Sequence, residues 1–235
     1  MVYIGGKPIL WHIMKMYAKY GYNEFVLALG YKADYIKDYF LNQKAFTSDF
    51  MLETETHKPK FFLENRHEID HFKITFVDTG EETMPGERIL RCQKYIPASD
   101  KQFMVTYGDG VSNLDIKALV AFHKKQKTVG TITGVHPRSK YGQVAIDPEG
   151  RVKKFVEKPV LKDWVNGGFM VFDYKAFKYI HTGETEHPAL QRLAAEKQLS
   201  LYQHEDFWFC MDTIKEVEDL NKMWSSNTAA WKTWT

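Results

Sequence analysis

The sequence predicts an α/β fold in which parallel strands are joined by crossover helices, and three observations carry that prediction. Helix-periodic and short apolar segments alternate from the start: Ile9, His12, Ile13, Met16 and Tyr17 recur at helical spacing, Glu24 to Leu29 is almost continuously apolar, and Tyr31, Tyr35, Ile36, Tyr39 and Phe40 are helical again. Apolar runs end in Gly- or Asp-bearing turns, as at Gly30, Asp78-Thr79-Gly80 and Gly108-Asp109-Gly110. The composition is that of a globular chain: 44% hydrophobic, 15% aromatic and 26% charged over 235 residues, enough for one substantial core.

Charge and cysteine usage narrow the function. Lys and Arg number 32 against 30 Asp and Glu, and with no basic block no nucleic-acid partner is expected. Cys92 and Cys210 stand far apart with no secretory leader, which reads as free thiols in a reducing cytoplasm. No apolar run approaches spanning length, so no membrane partner is expected either.

In chain order, Gly5-Gly6-Lys7 resembles part of a phosphate-binding loop, but Pro8 stands where that motif needs Ser or Thr. Pro8 suits the first turn of the first helix and Gly21 its C-cap. Residues 42–71 read as an irregular excursion with one short strand near Lys60 to Leu63. Its end, His67-Glu68-Ile69-Asp70-His71, matches a zinc-protease pattern. The nearby Pro59 and the strand pattern of Phe72 to Val77 deny that motif the helix it needs, so a chance match on a loop is the simpler reading. Glu87 to Tyr95 is predicted helical, and Gln102 to Tyr107 is predicted as a strand delivering Asp109. Ser112 or Asn113 is expected to cap the following helix, and Val129 to Val135 to form another strand.

Beyond Pro137, short extended pieces alternate with turns. Gln143 to Ile146 and Arg151 to Val156 flank Asp147-Pro148-Glu149-Gly150, a hairpin signal, and Phe169 to Phe172 is predicted as a third strand. The corners at Gly142 and Asn166-Gly167-Gly168, with Glu157 and Lys158, would suit a sugar pocket; ordinary turns would look the same. Leu190, Leu193 and Ala194 mark a helix, and Thr213 with Glu216 has capping-box spacing ahead of a last one. Asp212, like Asp109, sits where a strand meets a helix. One such Asp is most simply a cap or turn residue, but two could provide the one or two carboxylates that Mg²⁺ takes beside nucleotide phosphates.

Six ordered motifs carry a resemblance: Ile4-Gly5-Gly6-Lys7-Pro8-Ile9, Val77-Asp78-Thr79-Gly80, Thr106-Tyr107-Gly108-Asp109-Gly110, Phe155-Val156-Glu157-Lys158-Pro159, Asn166-Gly167-Gly168-Phe169 and Met211-Asp212-Thr213. In this order they resemble the sugar-1-phosphate nucleotidyltransferases. The Gly-Asp-Gly form and Trp231-Lys232-Thr233-Trp234 resemble the glucose-1-phosphate cytidylyltransferase branch. The resemblance implies a mostly parallel, Rossmann-like nucleotide-diphospho-sugar transferase sheet. Within a single domain, it implies a nucleotide-binding core over 1–135, a small sugar-binding β region over 136–172 and completion of the core over 173–235.

The implied reaction is CTP plus α-D-glucose 1-phosphate giving CDP-glucose and pyrophosphate, for the dideoxysugars of O-antigen lipopolysaccharide. By the same resemblance Asp109 and Asp212 hold Mg²⁺, and Lys158 holds the sugar phosphate. Gly142, Glu157 and Asn166 meet the sugar; Thr79, Gly80, Arg88, Tyr107 and Gly108 line the nucleotide side. Met84-Pro85-Gly86-Glu87 departs from the family's Gly-Gly-Arg pattern beside Arg88. The family also implies a homo-oligomer. Its members begin with a strand, a glycine-rich loop and a Lys-Pro-Lys-Pro segment that precede the start of this sequence. The expectation is therefore that Met1 is internal to a longer protein, and that the chain as written has a gap in its sheet and is unstable or poorly active. Two alternatives follow: a vestigial sugar-nucleotide-binding domain, or a zinc metalloprotease through His67 and His71. A metal-dependent glycosyltransferase is a third.

Overall fold

The computed structural model describes residues 2–62 and 70–234. The chain opens with a hairpin of β1 (Tyr3–Ile4) and β2 (Lys7–Pro8) around Gly5 and Gly6 at φ +56° and +78°. Two successive positive φ angles make this a tight hairpin turn of the kind glycines allow, which accounts for the Gly-Gly without a phosphate loop. Pro8 is the N-cap of α1 (Ile9–Ala18); the left-handed residue after that helix is Gly21, two beyond the cap Lys19.

Next come β3 (Glu24–Leu29), α2 (Ala33–Leu41) and the excursion, which holds α3 (Gln43–Thr47) and a hairpin of β4 (Phe50–Glu53) with β5 (Lys58–Phe61). The predicted short strand there has a partner that the sequence did not announce. After β6 (Lys73–Asp78), α4 (Pro85–Cys92) starts with Pro85 in its first turn. Then follow β7 (Gln102–Thr106), β8 (Gly110–Ser112) and α5 (Ile116–Gln126). Asp115 caps α5, its side chain accepting the Ala118 N–H at 2.9 Å. Ser112 does not cap that helix because it is already in β8, where its hydroxyl donates to Phe207 O at 2.7 Å.

The remainder comprises β9 (Gly130–Val135), the hairpin β10 (Gln143–Ile146) and β11 (Val152–Val156), β12 (Val165–Asp173), α6 (Glu186–Ala195), β13 (Leu199–Gln203), β14 (Trp208–Cys210) and α7 (Ile214–Ser225). The central sheet has the order β13-β9-β12-β7, and β3 pairs in parallel with β6 as a separate ribbon. The α/β class holds, but the sheet is mixed rather than mostly parallel: β13 runs parallel to β9, while β12 runs antiparallel to both β9 and β7. The reason is the connection. The chain leaves β9 at Val135, makes its 136–164 excursion and returns beside the same strand, with Val165 opposite Val135. An antiparallel return needs no crossover helix. Phe169 to Phe172, expected beside the β10–β11 hairpin, thus lies in the middle of the sheet.

The two cores have different jobs. One joins the chain ends: Ile9, Ile13, Met16 and Tyr17 of α1 meet Val111, Leu119, Leu220 and Trp231. The other packs Phe103, Met170 and Phe172 of the sheet against Phe177, Ala189 and Leu193. His12 lies inside the first, fully buried, ringed by Trp11, Trp224, Trp231 and Trp234. Its tautomer follows from its neighbours. The Trp231 indole can only donate, so its N–H goes to His12 Nδ1 (3.4 Å), and His12 Nε2 carries the proton toward Ile4 O (2.9 Å). Burial holds this imidazole down at about 4.

A folded-state value below the unfolded one means that, as pH falls below about 6.5, the unfolded chain takes the proton first and stability drops. Between pH 7 and 5 the wild type should lose about 2 kcal/mol more than His12→Gln, which should be less stable at pH 7 yet insensitive to this titration. Urea unfolding at the two pH values measures it; equal losses in both proteins would contradict the buried neutral imidazole.

Candidate active site

The site begins where β7 ends. Beyond Thr106 the chain runs through Tyr107, Gly108 and Asp109 into β8, which pairs antiparallel with β14: Gly110 faces Cys210, Val111 faces Phe209 and Ser112 faces Trp208. The Met211 N–H donates to Asp109 O at 3.0 Å, extending the ladder by one step and placing Asp212 beside Asp109. Asp109, Cys210 and Asp212 can each offer a ligand atom within 4.8 Å of the others, the one such cluster of three among the described residues. Cys210 Sγ lies 3.7 Å from Asp212 Oδ1. Partial burial raises the Asp109 carboxyl above its usual range, and the charge of Asp212 adds to the shift. The Cys210 thiol is pushed up to about 12 by burial and by both carboxylates.

Asp212 is held from the helix side. Its N–H and that of Thr213 both donate to Glu216 Oε2 at 2.7 Å, while Glu216 N donates back to Thr213 Oγ1 at 3.3 Å. The capping box predicted from spacing is thus what fixes the second carboxylate. Lys140 Nζ approaches Asp212 Oδ2 at 3.5 Å from the 136–142 loop, a solvent-exposed pair.

Beside the carboxylates lies a cavity of about 160 Å³ walled by Tyr107, Asp109, Asn166, Trp208 and Cys210. Asn166 Nδ2 donates to the Tyr107 hydroxyl at 3.3 Å, and its Oδ1 accepts from Gly168 N at 3.1 Å. Trp208 Nε1 donates to Gly167 O at 2.8 Å and ties β14 to β12. Gly168 has φ +83°, and a Cβ there would sit 2.5 Å from the Tyr107 ring, so two constraints demand glycine.

The predicted residues fall into three groups. Tyr107, Asp109 and Asn166 line the cavity and Asp212 joins Asp109 beside it, while Gly108, between Tyr107 and Asp109, is exposed and lines no part of it. Gly142 and Glu157 are neighbours at the base of the β10–β11 hairpin, where a Cβ on Gly142 would meet Phe155 at 2.6 Å and Glu157 Oε2 at 3.0 Å. Lys158 follows, exposed and at φ 46°. Backbone bonds from Ser139 to Pro159 and from Leu161 to Pro137 brace this corner.

The third group, Thr79, Gly80 and Arg88, closes on itself. Thr79 is fully buried; its hydroxyl donates to Leu29 O (2.7 Å) and accepts from Arg88 Nη1 (2.6 Å). Arg88 Nη2 donates to Glu81 O, and a Cβ on Gly30 would lie 2.3 Å from the guanidinium. The Thr79 side chain therefore joins the ends of β3 and β6 and is not open to a ligand, whereas Gly80 is partly exposed.

Cys210, Lys140, Trp208 and Glu186 belong to these networks and went unmarked in the sequence. Cys210 ends β14 two residues before Asp212, which was the available signal; Glu186, whose carboxylate accepts the hydroxyl of Tyr107 from 79 positions away, had none. Of the zinc-protease pattern, His67 lies outside the described residues and His71 is exposed. Among the described residues no helix is long and apolar enough to cross a membrane.

Residues 1–225 match the family model described as nucleotidyl transferase. The chain is 39% identical to the probable glucose-1-phosphate cytidylyltransferase of Bacillus subtilis (strain 168), over 98% of this chain and 89% of that protein. It is also 39% identical to the glucose-1-phosphate cytidylyltransferase of Salmonella typhi, over all of this chain and 90% of that protein. Among solved structures, UDP-glucose pyrophosphorylase complexed with UDP-glucose superposes with a TM-score of 0.65 at 16% identity, over 97% of this chain and 90% of that one, a likeness of fold. With its strand-end carboxylate pair, its mixed α/β sheet and relatives matched along nearly their whole length, the chain belongs to the nucleotidyl transferase family.

Proposed function

We propose that this protein transfers CMP from CTP to α-D-glucose 1-phosphate, giving CDP-glucose and pyrophosphate. The observation that carries the reading is the identity of 39%, over essentially the whole chain, with two proteins named for that activity. A phosphate oxygen of the sugar phosphate attacks the α-phosphorus of CTP in line; one P–O bond forms there as the bond to the β-phosphate bridging oxygen breaks, and pyrophosphate leaves with that electron pair. Positioning and charge neutralisation supply most of the acceleration in such transfers, and no covalent enzyme intermediate is required.

Asp109 and Asp212 suit Mg²⁺. Both offer hard oxygens, their approach already raises the Asp109 carboxyl, and a divalent cation relieves that repulsion. When bound, the ion neutralises phosphate charge as the triphosphate is cleaved. Lys158 is assigned to the sugar phosphate as an exposed cation. Gly142, Glu157 and Asn166 are assigned to sugar hydroxyls, with Gly142 lacking the side chain that would push Glu157 aside. Tyr107, Gly108 and Gly80 line the nucleotide side; Thr79 serves by holding Arg88 in place. CDP-glucose made in the cytoplasm by a homo-oligomer, for dideoxysugars of surface polysaccharide, is the setting that accompanies this reading.

Pyrophosphate release measured for CTP, UTP, dTTP and GTP, each with glucose 1-phosphate and mannose 1-phosphate, tests the proposal. CTP with glucose 1-phosphate should give the highest kcat/KM, and Asp109→Asn should lower it by roughly 100-fold or more with the fold intact. Preference for GTP with mannose 1-phosphate would overturn the substrate assignment. Full activity of Asp109→Asn would overturn the metal assignment, and CDP-glucose binding without turnover would mark a vestigial domain.

A further inference from the structure

Glu186, the first residue of α6, is a buried carboxylate that the proposed chemistry does not use: it is 8% exposed and pairs with no Lys or Arg among the described residues. Its Oε1 accepts the Tyr107 hydroxyl at 2.7 Å, with the exposed His187 Nε2 3.3 Å from the same oxygen. Its Oε2 is buried with no hydrogen-bond partner among the described residues. Burying a carboxylate this incompletely satisfied is costly, and the start of a helix offsets only part of that cost.

The consequence lies one bond further on. A tyrosine hydroxyl has a single proton, and a carboxylate can only accept, so the Tyr107 proton points to Glu186 and its oxygen is left to accept. Asn166 Nδ2 donates to that oxygen at 3.3 Å, while Gly168 N donates to Asn166 Oδ1 at 3.1 Å. The same nitrogen lies 3.9 Å from Met170 Sδ, a weak acceptor, so the Asn166 amide is held at both ends and the remaining lone pair of Oδ1 is left for the cavity it walls.

We infer that Glu186 is a positioning residue for sugar recognition: acting through the Tyr107 hydroxyl, it fixes the orientation of the Asn166 amide, so that the amide oxygen faces the cavity as the acceptor for a sugar hydroxyl. Its own free oxygen is buried and touches no substrate. Without Glu186 the Tyr107 proton is free to turn toward Asn166, setting donor against donor and freeing the amide to flip. The inference rests on the proposed sugar-phosphate substrate.

Steady-state pyrophosphate release by the full chain, with each substrate varied while the other saturates, tests it in wild type, Glu186→Ala, Glu186→Gln and Tyr107→Phe. Glu186→Ala and Tyr107→Phe should each raise KM for glucose 1-phosphate about tenfold, equivalent to ~1.4 kcal/mol, and Glu186→Ala should leave KM for CTP and kcat within about twofold. Glu186→Gln, whose amide oxygen still accepts the tyrosine proton, should stay within about threefold of wild type on the sugar side. Tyr107→Phe keeps the ring and its packing on Gly168, so it reports even where Glu186→Ala fails to fold. An unchanged sugar KM in Tyr107→Phe, or equal rises in both KM values in Glu186→Ala, would overturn the inference while leaving the function standing. A folded wild type that releases pyrophosphate with no sugar phosphate would instead overturn the function, and the inference with it.

Discussion

The antiparallel register of β8 against β14 is the constraint on which the site depends. Three residue pairs, flanked by backbone bonds from Met211 to Asp109 and from Asn113 to Phe207, define it, and they decide whether two carboxylates distant in sequence face one another. A slip of one residue would move Asp212 along the strand by about 3.4 Å and turn alternate side chains to the opposite face. So short a ribbon is weak alone, and its neighbours hold it. Trp208 is bonded to Gly167, Asn113 donates to Asp206, and Phe207 stacks on Trp231 at 5.7 Å. Through Trp231 the register is coupled to His12 and the first helix, so the chain termini stabilise the place where the carboxylates meet.

The second half of the site is set by the return of β12. Its insertion between β7 and β9 carries Asn166, Gly167 and Gly168 to the end of the strand that delivers Tyr107. Contact there is close enough to exclude a Cβ at Gly168, and Tyr107 gains the hydrogen bonds that orient it from both β12 and α6. The β3–β6 ribbon stands apart from this sheet. Among the described residues each of its two strands is paired on one side only, and Ala28, within a run apolar enough for a strand covered on both faces, is exposed.

Much of this was legible in the residues. Alternating apolar periods gave the element order, the Asp-Pro-Glu-Gly turn gave the β10–β11 hairpin, and Thr213 with Glu216 gave the cap beside Asp212. What failed was pairing, and with it the short elements α3, β4 and β8. A buried strand looks the same parallel or antiparallel, so the direction of β12 could not be read from Phe169 to Phe172. Ser112 is a good capping residue by type, but its place in β8 depends on Phe207, 95 positions later. The roles of Glu186, of Cys210 and of the closed Thr79–Arg88 pair likewise rest on contacts distant in sequence.

The proposed chemistry requires the Asp109–Asp212 pair across β8 and β14 to be where the catalytic cation and the nucleotide phosphates meet. Anomalous diffraction from crystals grown with Mn²⁺ and CDP-glucose tests it most directly, because Mn²⁺ takes Mg²⁺-type oxygen ligands and is visible by its own scattering. An anomalous peak is expected within coordination distance of both carboxylates, against the phosphates of the bound nucleotide. A bound nucleotide whose metal peak lies away from Asp109 and Asp212 would contradict it.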